Sequence, residues 1–308
     1  MIDFIGKKRW FFLISEILVV IGIVSLIISQ VQLGTPLRLG TDFTGGTSMI
    51  LQFTPQVEQD QLRQEITELG YPEAIIQGSG DDFLIRLREI SLQERQELTE
   101  ELEMSLSSEI TIRESDMVSA HIAATTARNA VIAVIIASIA MMLYIIWAFR
   151  RMPKPFRWGS CAVIAVIHNV FIIVGIFSLL GWVAGVEIDA LFITGLLAVV
   201  GYSINNTVVV FDRIRENVSR HIRPDFAETV NDSLIDTLGR CINTALTTLI
   251  VLLALLLFGG ATIYYFVLVL LLGVIIGTYS SVCIAGQLLV VWERQEWRAL
   301  LPFAKRTG

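Results

Sequence analysis

Apolar runs and one polar interval divide this chain. An apolar run from about Trp10 to Ser29 is followed by a charged interval. Five more runs come after it, at about Asn129–Phe149, Trp158–Leu180, Ala190–Phe211, Arg240–Phe258 and Tyr265–Trp292. About 20 consecutive apolar residues are enough to cross the hydrocarbon core as a helix. The pattern therefore predicts six transmembrane helices. The first run is long for a signal-peptide core and no small-x-small cleavage site follows it, so it reads as a retained anchor. Glu16 interrupts it about one turn in, where a side chain can reach the interface or act as a buried acid. The last run is long enough to tilt or to emerge from the membrane.

Residues 31–126 follow other periods. Thr47–Phe53 alternates with a β-branched and aromatic bias, and Val57–Leu69 reads as a helix closed by Gly70. Glu73–Gln77 and Phe83–Arg88 read as strands around the turn Gly78–Asp82. Ser91 is placed to cap a second helix running to about Leu106, and Glu109–Arg113 alternates again. The order β-α-β-β-α-β is that of a ferredoxin-like split sandwich, an architecture that by itself assigns no function. The predicted fold is an α-helical membrane bundle with an inserted α+β ferredoxin-like extracytoplasmic domain. Its segments are 1–30 (N-terminus and first span), 31–126 (inserted domain), 127–292 (five spans) and 293–308 (cytosolic tail).

Composition sharpens this reading. Only 17% of residues are charged against 54% hydrophobic, where a soluble domain carries about a quarter charged residues. The charges crowd into the interval and a few loops. Lys7, Lys8 and Arg9 flank the first span, and Arg150, Arg151, Lys154 and Arg157 join the second to the third. Arg213, Arg215, Arg220 and Arg223 follow the fourth, and Arg294, Arg298, Lys305 and Arg306 follow the sixth. All these positions fall on one side, while the opposite loops Gly181–Asp189 and Gly259–Tyr264 contain no Lys or Arg. The positive-inside rule then puts both termini in the cytosol and the inserted domain outside. No basic stripe suggests nucleic acid. Cys161, Cys241 and Cys283 all fall in apolar spans without metal spacing and read as core residues. No catalytic triad, zinc spacing or phosphate loop is visible, so the chain is expected to be no enzyme and to need no metal or cofactor.

Polar groups inside a membrane need a partner or a hydrated cavity, which makes them candidates. On the fourth span Ser203 and Asn206 are three apart and Tyr202 and Asn206 four apart, so they share a face, with Asn205 beside them. On the fifth, Arg240, Asn243, Thr244 and Thr247 make a polar stripe. Interhelical hydrogen bonding explains the first group and a snorkelling arginine the start of the second. The deeper members of the stripe favour a hydrated interior. The third span carries His168-Asn169, either packing or a proton relay. Asp212, Arg213, Arg215, Glu216 and Asn217 form an alternating-charge exit from the fourth span. They suit a solvated face or docking against cytosolic segments. On the other side, Gly40, Asp42, Phe43, Gly45 and Gly46 lie in GTDFTGG between the first span and first strand. The glycines permit close backbone approach, and Asp42 is suited to capping backbone amides in a turn.

These motifs resemble the SecF family, the smaller subunits of the SecD–SecF accessory complex of the bacterial Sec protein translocase. The most specific element is GYSINNTVVVFDRIREN at Gly201–Asn217. It is supported by GTDFTGG, His168–Val170, Arg240 with Asn243 and Thr244, and LFGG at Leu257–Gly260. The resemblance covers essentially the whole chain. It implies a heterocomplex with SecD beside the SecYEG channel and SecA in a bacterial inner membrane, or a thylakoid membrane in a photosynthetic organism. It also implies translocating preproteins as clients, and use of the proton-motive force to complete export. One charge crossing 100 mV is worth about 2.3 kcal/mol, enough for a few protons to bias a domain motion.

Two positions depart from the family pattern. The fourth-span motif normally reads Asn-Asp where this chain has Asn205-Asn206, and the third-span motif His-Asp where it has His168-Asn169. Asparagine hydrogen-bonds but does not titrate in the useful range. The proton-carrying role of that aspartate therefore does not carry over to Asn206, and Arg240, the family's cationic partner for it, needs another counter-charge. Three readings follow: proton movement through the SecD half, a disabling change, or a compensating acid elsewhere. The competing functions are a structural subunit without its own proton path and a small-solute exporter of the resistance–nodulation–division type.

Overall fold

The structure is a computed structural model that describes residues 3–297. Arg298, Lys305 and Arg306 of the charge pattern lie outside the described residues. In chain order the first elements are α1 (Lys8–Leu33), α2 (Thr41–Thr44), β1 (Gly46–Thr54), α3 (Gln59–Glu68), β2 (Ile75–Ser79), β3 (Asp82–Leu87), α4 (Leu92–Leu106) and β4 (Glu109–Val118). Then come α5 (Ala120–Ala148), α6 (Pro155–Ala184), α7 (Ala190–Ser219), α8 (Phe226–Phe258), α9 (Ala261–Ser280), a π-helical turn (Ser281–Ala285) and α10 (Gly286–Arg294). Residues 38–132 and 187–190 make one compact unit, and the rest of the chain makes the other. Sequence patterning sets the inserted segment at 31–126. The inserted unit begins later because α1 runs on to Leu33, and it takes in the short segment 187–190.

In the inserted unit the strands are ordered β2-β3-β1-β4, all antiparallel, with α3 and α4 between them in sequence. β1 alternates strictly, and its Met49, Leu51 and Phe53 are buried with Ile76, Phe83, Ile85 and Leu87. Leu62 and Ile66 of α3 and Leu98, Leu102 and Leu106 of α4 close this core from one face. Both helices obey a period near 3.6, so three- and four-residue spacings put their leucines on one side. Ser91 and Glu94 make a reciprocal capping box, with Glu94 N–H donating to Ser91 Oγ at 3.2 Å and Ser91 N–H to Glu94 Oε2 at 2.7 Å. β4 is longer than its alternation predicts, because it pairs with the whole of β1 through an irregularity at Ile50/Leu51 that breaks its period. Like β2, it is also an edge of the sheet. Its Ile112 stands opposite Leu51 and is 45% exposed, and Met117 opposite Thr47 is 54% exposed. α4 reaches β4 through Arg95, which donates to Ser115 Oγ at 2.5 Å, and through Glu103, which accepts from Ile110 N–H at 2.9 Å, yet Ile112 and Met117 stay uncovered.

The other unit holds the apolar helices. Six helices are long and apolar enough to cross a membrane, α9 and α10 counting as one through the π turn. Several begin earlier than hydropathy suggests. α5 starts at Ala120 and α8 at Phe226 because polar helical turns precede their apolar runs. α6 opens on Pro155 and ends at Gly185, whose φ of 69° suits a left-handed cap. α1 packs on α6 with Gly22 facing Gly175, where a Cβ would collide with the opposite backbone. Near one end of the pair, Ser29 and Ser178 hydroxyls bond at 3.0 Å. This is how helices associate in lipid, where small residues give van der Waals contact that hydrophobicity cannot supply. Phe149 stacks on Trp158 at 5.2 Å and Phe211 meets both rings edge-on at 5.4–5.9 Å, anchoring the other end of the bundle.

Leu102 has no exposed surface in the inserted core. Leu102→Ala should destabilise that unit by about 2–5 kcal/mol. In the full chain, hydrogen-exchange protection should fall across β1 and β3 while α6 keeps its own.

Candidate functional site

The polar centre of the helical unit is built by three helices. α6 turns Asn169 inward until it is 1% exposed, and α7 presents Ser203, Asn206 and Thr207 on one face. α9 and the π turn supply Thr278, Ser280 and Ser281. Asn169 Nδ2 donates to Ser203 Oγ at 2.8 Å and to Ser280 Oγ at 2.7 Å. Asn206 Nδ2 donates to Thr278 Oγ1 at 3.3 Å. Thr207 and Ser281 hydroxyls meet at 3.0 Å. Most of the hydroxyl protons return to backbone carbonyls: Thr278 to Val274 at 2.7 Å, Ser280 to Gly277 at 3.1 Å and Thr207 to Ser203 at 3.0 Å. Gly277 makes the approach possible, since a Cβ there would lie 3.3 Å from Ser203 Cβ. No carboxylate belongs to this cluster. His168 Nδ1 lies 3.0 Å from Asn169 Oδ1, while His168 Nε2 and the Tyr202 hydroxyl are buried without a partner among the described residues.

The sequence pattern groups Tyr202 with Ser203 and Asn206. In the structure Ser203 and Asn206 enter the hydroxyl network, whereas Tyr202 packs against Ala245, Leu252, Val267 and Val274. Asn205 is exposed. The polar stripe on α8 exists, but it does not enter the interior of this chain. Arg240, Asn243 and Thr247 are exposed and Thr244 is half-buried. Thr244 and Thr247 hydroxyls donate to their own helix, to Arg240 O at 2.9 Å and Asn243 O at 3.1 Å. Arg240 has no carboxylate partner among the described residues. Asn206 is held by α9, not by Arg240. Sequence reasoning passed over Thr278, Ser280 and Ser281, although the polar run Thr278–Ser281 inside an apolar span was a signal.

At the end of α7 the charges do two jobs. Arg213 grips Asp236 of α8 through Nε at 3.0 Å and Nη2 at 2.7 Å, and reaches Glu216 at 2.8 Å. Asn217 is buried and donates to Ser233 Oγ at 2.9 Å. Asp212 stays exposed and pairs at 2.5 Å with Arg215, which is half-buried with its guanidinium over the Phe149 ring. The docking and the solvated face are both present.

The glycine-rich motif lies wholly inside the inserted unit. Gly40 N–H donates to Ile188 O and Ile188 N–H to Arg38 O, both at 2.8 Å, with Leu39 bridging Ile188 in parallel. Asp42 Oδ2 accepts from Ala190 N–H, the first residue of α7, at 2.8 Å. Phe43 is half-buried, its N–H bonded to Gly40 O at 3.0 Å. Gly45 has φ of 77°, and a Cβ there would lie 3.1 Å from Ala120 backbone; Gly46, at φ 124°, would put one onto Leu87 O. Beside this motif Glu187 is buried and pairs with Arg86 of β3. Burial pushes the Glu187 carboxyl up from its ordinary pKa, opposed by Arg86 and Arg38 and reinforced by Asp189. Among the described residues no cluster of His, Cys, Asp or Glu is placed to hold a metal.

Comparison with known proteins adds the following. The family "Protein export membrane protein SecD/SecF, C-terminal" matches residues 98–295, and the "SecD/SecF GG Motif" matches residues 32–57. The chain is 39% identical to the protein translocase subunit SecF of Thermobaculum terrenum, covering 96% of both chains. It is 38% identical to the protein translocase subunit SecDF of Thermus thermophilus over 82% of this chain and 34% of that one. The crystal structure of SecDF from Thermus thermophilus, described as a translocon-associated membrane protein, matches with a TM-score of 0.83 and 35% identity. That match covers 95% of this chain, which spans 39% of the solved chain.

The buried Glu187 gives a pH dependence of defined sign. Because burial raises its pKa, the folded unit binds this proton more readily than the unfolded chain does. Its contribution to stability is full below the ordinary glutamate range and is lost as pH rises through the raised value. The inserted unit should therefore become more stable as pH is lowered from neutral toward that range. Unfolding midpoints measured against pH should show this slope in the native chain and a flatter one in Glu187→Gln.

Proposed function

This chain belongs to the SecD/SecF family of protein export membrane proteins, and from that premise we propose that it is the SecF half of a SecD–SecF complex assisting SecYEG and SecA. It is a multi-pass membrane protein. We place it in a bacterial inner membrane with both termini in the cytosol, as its Lys and Arg distribution supports. The inserted unit then faces outward, where preproteins emerge. The complex draws on the proton-motive force to complete their export.

One observation carries the reading. Arg240, Asn243 and Thr247 form an exposed polar stripe on a membrane-spanning helix, and Arg240 has no carboxylate partner among the described residues. Lipid does not solvate such a face, and a cation within a span calls for a counter-charge or water. A second membrane half is the economical cover. The fused SecDF relative is far longer than this chain, which spans 34% of it. We assign the cover to SecD, with an acid of SecD as the counter-charge. The uncovered Ile112 and Met117 on the edge strand support the same need for a partner.

The second reading, a subunit without its own proton path, also has a specific observation behind it. Asn169 and Asn206 sit in a neutral network. We propose that titration is carried by the SecD half while this half holds the helix scaffold.

Two outcomes follow. Arg240→Leu with Asn243→Leu should reduce co-purification of SecD in mild detergent by at least several-fold, whereas a small-solute exporter would bring down neither SecD nor SecYEG. Asn206→Asp, assayed with SecD in vesicles carrying SecYEG and SecA, should give no large gain in gradient-dependent export. A large gain would mean that the missing acid in this half limits the coupling.

A further inference from the structure

The segment 187–190 is covalently the link from α6 to α7, yet it packs as part of the inserted unit. Four different bonds fasten it there. Two are the backbone pair Gly40 N–H to Ile188 O and Ile188 N–H to Arg38 O. The third is the Asp42 carboxylate on Ala190 N–H. The fourth is the Arg86–Glu187 pair, in which the Glu187 side chain is 1% exposed. Gly40 eases the first of them, since a Cβ there would lie a tight 3.1 Å from Ile188 O. A loop between two spans needs none of this to turn the chain. An ordinary helix start takes its cap from its own preceding residues. Here the first residue of α7 also donates its N–H to Asp42, far away in sequence.

We propose that Asp42 and the Arg86–Glu187 pair form a joint that fixes the head of α7 into the inserted unit. The four bonds differ in kind but act on adjacent residues, so the segment has little freedom to slide or swing. α7 is the helix that carries Ser203, Asn206 and the Arg213 contact with α8. α7 continues from Ala190 as one helix to Ser219, so a pull along α7 acts directly on the fastened residues. Resting on the export role argued above, this gives Asp42, Arg86 and Glu187 a positioning role: they hold the start of α7 in place through the export cycle.

The joint itself is tested on the purified full chain in lipid nanodiscs, without SecD or a gradient. Hydrogen exchange at Gly40, Ile188 and Ala190 reports the bonds directly. Asp42→Ala should lower protection at Ala190 about tenfold, and Glu187→Ala should lower it at Ile188 and Ala190. Glu187→Gln, which keeps an acceptor for Arg86, should retain it, and α1 and α6 should stay protected throughout. Unchanged protection in both alanine variants would overturn the joint. Its mechanical role is tested in vesicles with SecD, SecYEG and SecA. Asp42→Ala with Glu187→Ala should lose most of the gradient-dependent part of export. A disulfide between Leu39→Cys and Ile188→Cys, added to that pair, should restore it until reductant is supplied; native Cys161, Cys241 and Cys283 are buried. If the same disulfide in an otherwise native chain abolished export, the junction would have to open in the cycle and a fixed joint would be wrong. If the native chain showed no gradient-dependent export at all, the functional reading would fall, and the exchange result alone would decide the joint.

Discussion

In hydrocarbon, an unpaired polar group costs several kcal/mol, and this constraint organises the helical unit. Asn169, Ser203, Asn206, Thr207, Thr278, Ser280 and Ser281, on the facing sides of α6, α7 and α9, each find a partner within the bundle. Asn169 satisfies two hydroxyl oxygens at once, one on α7 and one at the end of α9. The network therefore fixes the rotation of three helices relative to one another, something apolar packing alone does weakly in lipid. The π turn after Ser280 belongs to the same solution. It brings Ser281 to Thr207 and to Ser203 O while Ser280 faces Asn169. π turns are uncommon and gather at functional sites.

The same constraint explains what the chain leaves undone. Thr244 and Thr247 hide their hydroxyl protons on their own helix, which any threonine can do. Arg240 has no such recourse, since its guanidinium only donates and stays charged. The interior of this unit is closed and neutral, and its charged business is turned outward. The inserted unit follows a parallel logic. Its core is sealed over β1 and β3, while β4 keeps apolar residues uncovered, so both units present faces that call for a neighbour.

Much of the architecture was legible from residue patterns. Six apolar runs became the six spanning helices, and the βαββαβ order became the four-stranded sheet. What escaped has physical reasons. The polar early turns of α5 and α8 are helical by continuity, and hydropathy does not register a polar helix. The second half of β4 lost its alternation at the irregularity opposite Ile50/Leu51. The direction of the α8 stripe was not legible, because periodicity shows that residues share a face but not what the face meets. The role of Asp42 as a cap could be anticipated from its type. Its target, Ala190, could not, since it lies so far along the chain. Thr278, Ser280 and Ser281 were visible as a polar run, yet only the structure pairs them with Asn169, Asn206 and Thr207.

The donor directions give the asparagines a physical meaning. Thr278 has one hydroxyl proton and gives it to Val274 O, so toward Asn206 it can only accept. Ser280 likewise gives its proton to Gly277 O and accepts from Asn169. Both sites thus want a donor, and an amide nitrogen supplies one. An ionised carboxylate has no proton to give and would set its lone pairs against those of the hydroxyls. A subunit built this way needs no titration to be stable. The three helices are thus held in one rotation by bonds between neutral groups, each donor matched to an acceptor.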